Sequence, residues 1–121
     1  MTEITGKVTH GQHYGRELGF PTANLDRREY VRKKLKIKFG IYSGIAILQS
    51  EKKYRAGIVM GPLDKSGLPK IEAYLLNFKG NLYGKKITIT LKKYLRPFIK
   101  FKNTDDLKKQ IQKDIKRIKQ S

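Results

Sequence analysis

The chain contains no cysteine, which excludes a disulfide framework and any thiolate-ligated metal site. Nowhere does it carry an apolar run of about 18 residues, the length needed to cross a bilayer as a helix. Its first residues, Met1-Thr2-Glu3-Ile4-Thr5, offer neither the charged nor the apolar region of a secretory leader. These absences predict a soluble, cytoplasmic protein without a membrane span. Acidic residues are scarce as well, 10 Asp and Glu against 28 Lys and Arg, for a net charge of +18. Such an excess favours an anionic partner, whether nucleic acid, membrane surface or phosphorylated small molecule, without choosing among them. A chain of 121 residues has room for one modest core, so a single domain over residues 1–121 is expected, as a monomer.

No glycine-rich stretch ends in Gly-Lys-Ser or Gly-Lys-Thr, and no strand leads into G-x-G-x-x-G, so the common phosphate loops are excluded. What the sequence has instead is Gly15-Arg16-Glu17-Leu18-Gly19-Phe20-Pro21-Thr22-Ala23-Asn24. Glycines let a backbone approach an anion, and proline fixes the angle at which the next residues enter. Thr22 and Asn24 stand two apart, so an extended backbone sends both neutral, oxygen-bearing side chains off one face, where one divalent ion can touch both. Directly after comes a basic run, Arg27, Arg28, Arg32, Lys33, Lys34, Lys36 and Lys38, offset only by Glu29. Residues 26–39 hold few apolar anchors and read as an exposed, mobile loop.

Period-two patterns dominate the rest of the chain. Residues 3–9 suit a first strand, Ile41 to Leu48 a buried one, and Tyr54 to Met60 its hairpin partner. Gly61-Pro62, Ser66-Gly67 and Pro69 punctuate a loop before a further strand over Lys70 to Phe78. Ile87, Ile89 and Leu91 alternate with Lys86, Thr88, Thr90 and Lys92, the cleanest strand signal present. At the end, Thr104-Asp105-Asp106 offers an N-cap and first-turn acids to a helix with Leu107, Ile111, Ile115 and Ile118 on one face. Its apolar stripe suits packing on the β core better than lying on a membrane surface. Strands joined by turns and ended by one helix imply a mainly β protein, an antiparallel barrel with the helix beside it.

Glu72 is the only acid between Asp64 and Asp105 and sits within Ile71-Glu72-Ala73-Tyr74-Leu75-Leu76. A carboxylate on so apolar a strand needs a partner or a task. On the residues alone, an outward-facing glutamate paired with a lysine remains the competing explanation. His10 and His13 have no second cluster at ligand spacing and read as loop histidines.

Taken together, His10-Gly11, Gly15-Arg16, Gly19-Phe20-Pro21-Thr22-Ala23-Asn24-Leu25, the Glu72 strand, Asn81-Leu82-Tyr83-Gly84 and Leu95-Arg96-Pro97 resemble the ordered signature of riboflavin kinases. The resemblance runs from Gly6 to about Ile118 and implies a six-stranded antiparallel Greek-key β-barrel with a C-terminal α-helix. It implies transfer of the γ-phosphoryl of ATP to the 5′-hydroxyl of riboflavin, giving FMN and ADP, with Mg²⁺ as cofactor. Glu72 would be the catalytic base, and Thr22 and Asn24 the magnesium-holding pair. Gly15, Arg16, Gly19, Pro21, Leu75, Asn77 and Tyr83 would line the nucleotide, and Arg96, Ile99, Phe101, Leu107 and Ile111 the flavin. Bacterial relatives often carry a second, FMN-adenylylating half, to which nothing here bears a likeness.

Three departures stand against the family pattern. Val59-Met60-Gly61-Pro62-Leu63 replaces a longer, threonine-bearing loop; Phe98 stands where a glutamate often follows Arg-Pro; and the basic run over residues 27–38 is added. That run can be a lid over ATP or an interaction surface. From a different class, a small basic β-barrel binding single-stranded nucleic acid through Tyr, Phe and Lys side chains is the alternative. A flavin-sensing, RNA-contacting derivative of the kinase is a hybrid of the two.

Overall fold

The computed structural model describes residues 2–9 and 22–121. In chain order the elements are β1 (Thr2–Thr9), β2 (Thr22–Leu25), α1 (Arg28–Arg32), β3 (Gly40–Ile47), β4 (Lys53–Leu63), β5 (Pro69–Leu75), β6 (Lys86–Arg96) and α2 (Thr104–Lys119). The six strands close a barrel in the order β1-β2-β5-β4-β3-β6, every pairing antiparallel. Strands β3, β4 and β5 follow one another as neighbours, and β6 returns to lie beside β3, which is the Greek-key arrangement. The expected architecture is therefore the observed one.

Alternation along each strand creates two separate apolar regions. Ile4, Val8, Ala23, Leu25, Ile71 and Ala73 are among the side chains that fill the barrel. On the opposite face, Ile41, Val59, Tyr74, Leu76 and Leu95 form a second cluster with Ile118 of α2. The helix thus covers one outer wall, over β4 and β3. Its buried side chains are Ile111, Asp114 and Ile118.

Tyr74 shows why one glycine is needed. A Cβ added at Gly57 would stand 2.0 Å from Tyr74 Cζ, so the ring lies across a position where no side chain fits.

Several local expectations need correction. Residues 26–39 do not form a mobile loop: they contain α1, and Tyr30, Leu35 and Ile37 pack against the barrel's interior cluster. Those three apolar side chains were too few to outweigh the charges in a sequence pattern. Arg27 Nη1 meets Asp64 Oδ2 at 2.6 Å, and Glu29 Oε1 accepts from the Thr5 amide at 2.8 Å, tying the segment to the Asp64 turn and to β1. Strand β4 runs through Gly61-Pro62 to Leu63, whereas the sequence suggested a loop there. β5 stops at Leu75 rather than Phe78, because Asn77 takes a left-handed backbone (φ 62°). The N-cap of α2 is Asn103, whose side chain accepts from the Asp106 amide at 2.9 Å, not Thr104.

Candidate active site

Strand β2 alternates as expected from its sequence. Ala23 and Leu25 enter the core, so Thr22 and Asn24 leave the outer face together, half-buried. Pairing with β5 sets Asn24 directly opposite Glu72 and Thr22 opposite Tyr74. Residues facing each other across an antiparallel pair project to the same side. Glu72, with Ile71 and Ala73 in the core on either side of it, therefore shares the outer face with the Thr22–Asn24 pair.

The register continues around the barrel as a row: Thr9, Asn24, Glu72, Val59, Ile41, Arg96. One half is polar, and Thr9 Oγ1 donates to the Asn24 carbonyl at 3.3 Å. The other half, Val59 and Ile41, lies in the apolar cluster beneath α2. Glu72 stands at the boundary, 6% exposed. A carboxylate on this face can take a proton from a substrate hydroxyl brought within hydrogen-bond reach of it. Beside it, a hydroxyl and an amide oxygen give two neutral, hard donors suited to Mg²⁺ that also takes phosphate oxygens and water.

At the far end of the row, Arg96 is engaged with the protein itself. Its Nε lies 3.0 Å and 3.1 Å from the two carboxylate oxygens of Asp114, and its Nη2 lies 2.8 Å from Oδ2. Gln110 Nε2 donates to Asp114 Oδ1 at 3.1 Å, and Arg96 Nη1 to the Pro97 carbonyl at 3.1 Å. Asp114 is the residue that sequence reasoning undervalued. The available signal was an acid on the buried line of an otherwise apolar helix stripe, three residues past Ile111 and four before Ile118.

The remaining expected site residues are distributed as follows. Leu75 is fully buried inside the barrel, on the face opposite Glu72, so its side chain does not reach the Glu72 wall. Asn77 is exposed just past the end of β5, and Tyr83, 52% exposed, lies beside Thr9 in a groove of about 350 Å³. Ile99 is exposed and Phe101 and Leu107 half-buried on and after the link from β6 to α2, with the Phe101 ring 6.0 Å from the Arg96 guanidinium carbon. Ile111 is buried, a packing position of α2. Gly15, Arg16, Gly19 and Pro21 lie outside the described residues, as do His10 and His13. Among the described residues no helix is long and apolar enough to cross a membrane.

A closed antiparallel barrel of six strands thus carries a helix over one wall and, on its outer surface, a carboxylate facing a hydroxyl and an amide. The riboflavin kinase (flavokinase) family profile matches residues 1–121, and the chain belongs to that family. It is similar to the bifunctional riboflavin kinase/FMN adenylyltransferase of Haemophilus influenzae, 36% identical over 118 residues, covering 96% of this chain and 37% of that protein. It is also similar to the RNA-binding riboflavin kinase RibR of Bacillus subtilis, 34% identical over 119 residues, covering 95% of this chain and 49% of that one. The chain thus spans between about a third and a half of the length of these relatives. The riboflavin kinase structure from Trypanosoma brucei shares the fold, with a TM-score of 0.72 and 23% identity, over 98% of this chain and 74% of that one.

Proposed function

We propose that the chain transfers the γ-phosphoryl group of ATP to the 5′-hydroxyl of riboflavin, giving FMN and ADP. The observation that carries this reading is the register that sets Asn24 opposite Glu72 on the outer face of the β2–β5 pair. Glu72 accepts the 5′-hydroxyl proton as the oxygen attacks the γ-phosphorus and the bond to the bridging oxygen of ADP breaks. Phosphoryl transfer asks little covalent chemistry of a protein beyond positioning and neutralisation, and a single acid beside neutral donors matches that demand.

Thr22 Oγ1 and Asn24 Oδ1 would hold Mg²⁺, which when bound offsets the charge of the phosphates. Asn77 and Tyr83 lie on the exposed turns beyond β5 and before β6 and supply the nucleotide side. Ile99, Phe101 and Leu107 offer apolar surface to the flavin ring. Arg96 contributes indirectly, by holding α2 and the link that carries those residues in place.

Incubation with riboflavin, Mg²⁺ and ATP, CTP or GTP in turn, followed by chromatographic separation of FMN, tests the reading and identifies the donor. FMN formation that vanishes in Glu72→Gln while flavin binding persists is the expected result. Absence of FMN with all three nucleotides would overturn it.

A further inference from the structure

A second feature lies on a different stretch of wall, where β1 pairs with β6. The register sets Lys7 directly opposite Lys86, both exposed on the outer face. Like charges facing each other across a strand pair cost stability, and no ion pair among the described residues offsets this one. Across a groove of about 330 Å³ stand Arg28 and Arg32 of α1.

The acids in that groove are already engaged. Glu29 accepts from the Thr5 amide at 2.8 Å and pairs with Lys33 at 3.1 Å and Arg32 at 3.7 Å. These partners, the Thr5 amide above all, hold its carboxyl below the ordinary value, so it stays ionised and bound within the protein. Asp26 Oδ1 accepts from the Arg28 amide at 3.3 Å. Lys7, Lys86 and Arg28 have no ion pair among the described residues. A neighbouring groove shares Lys7, Asp26 and Arg28 and runs on to the exposed ring of Tyr83.

We propose that the cleft between α1 and the β1–β6 pair tracks the backbone of a single-stranded nucleic acid. Cations on both sides of a furrow meet successive phosphates, and the two grooves that share Lys7, Asp26 and Arg28 give it the length of a strand rather than of one anion. A free phosphate would occupy only part of two joined grooves, and a flat lipid surface cannot follow a concave one. The overall charge of +18 steers any polyanion inward but does not select this cleft.

Fluorescence anisotropy with a labelled oligouridylate over a salt series tests the assignment, independently of flavin phosphorylation. Lys86→Glu is expected to weaken binding about tenfold and to flatten the salt slope by roughly 0.7 for each phosphate no longer neutralised. Lys113→Glu, on the exposed face of α2, makes the same change in net charge and is expected to leave affinity within about twofold. Lys86→Glu should melt no lower than the parent, because it places opposite charges across the strand pair; Lys7→Glu repeats the test from the other strand. Equal losses in the α2 and cleft variants, no loss in either cleft variant, or tighter Lys86-dependent binding to phosphatidylserine vesicles would each overturn the proposal.

Discussion

Arg96 grips Asp114 through two nitrogens, at 3.0 Å and 2.8 Å, with the arginine 7% exposed and the aspartate fully buried. The pair joins the end of β6 to the middle of α2. It lies at one end of the outer row whose other members include Glu72 and Asn24. Whatever else the arginine touches, its geometry with Asp114 makes it a fastener. What it fastens is the helix that covers Val59 and Ile41 next to Glu72.

Removing one partner leaves the other charge buried, which is the costly way to break such a pair. Asp114→Ala is expected to lose about 3–5 kcal/mol of stability in urea unfolding. Replacing both residues together, Arg96→Met with Asp114→Leu, should cost much less, since no unpaired charge remains. Similar losses in the single and double variants would show that packing, not pairing, holds the helix.

The close approach of Tyr74 to Gly57 yields a second expectation. Gly57→Ala puts a methyl group into the space of the ring, and backbone pairing on both sides of β4 leaves little room to yield. Overpacking of this kind costs about 1–3 kcal/mol. Thermal unfolding checks the destabilisation. Because Tyr74 stands two residues from Glu72 on β5, turnover should fall with it, and a variant as stable as the parent would refute the tight fit.

The barrel was legible because its strands carry period-two patterns over a filled interior, most plainly at Ile87, Ile89 and Leu91. Thr22 and Asn24 could be placed on one face from their spacing alone, and Glu72 stood out as an acid in an apolar strand. Their adjacency could not be read locally. It depends on β2 inserting between β1 and β5, a pairing between strands far apart in the chain that no window of sequence encodes. The pairing of Arg96 was out of reach for a related reason: its partner sits 18 residues away on α2, and an exposed cation and a buried one look alike in sequence. The α1 segment was hidden by composition, since three apolar anchors are outnumbered by basic neighbours that remain in water.

Acid should loosen α1 before the barrel. Asp64 accepts from the Ser66 side chain and from Arg27, with further donation from the Ser66 and Leu68 amides, and these bonds hold its carboxyl far below the ordinary value. Glu29 is lowered too, chiefly by the Thr5 amide. A depressed folded-state value means that the stabilisation is complete above the unfolded value, about 4 for these groups, and is lost as pH falls toward the folded one. Melting temperature is therefore expected to drop as pH descends below about 4, and Asp64→Asn should shrink that drop while lowering stability at neutral pH. An unchanged acid limb in Asp64→Asn would show that the turn does not couple to folding.

The final expectation separates the acid from its neighbours. If Glu72 takes the proton and Asn24 supports the cation, the two substitutions should fail differently although the residues face each other across one strand pair. Glu72→Gln keeps the shape of the side chain and one acceptor oxygen but cannot accept the proton, so kcat should fall by about 10²–10⁴ with little change in KM for riboflavin. Asn24→Ala removes an oxygen donor, so it should raise the Mg²⁺ concentration needed for half-maximal rate while leaving saturated turnover closer to the parent. Steady-state rates over a magnesium titration distinguish the patterns. A Glu72→Gln enzyme rescued by magnesium would move the carboxylate from proton acceptance to cation binding, and a magnesium-insensitive loss in Asn24→Ala would leave that amide as a strand-pairing residue only.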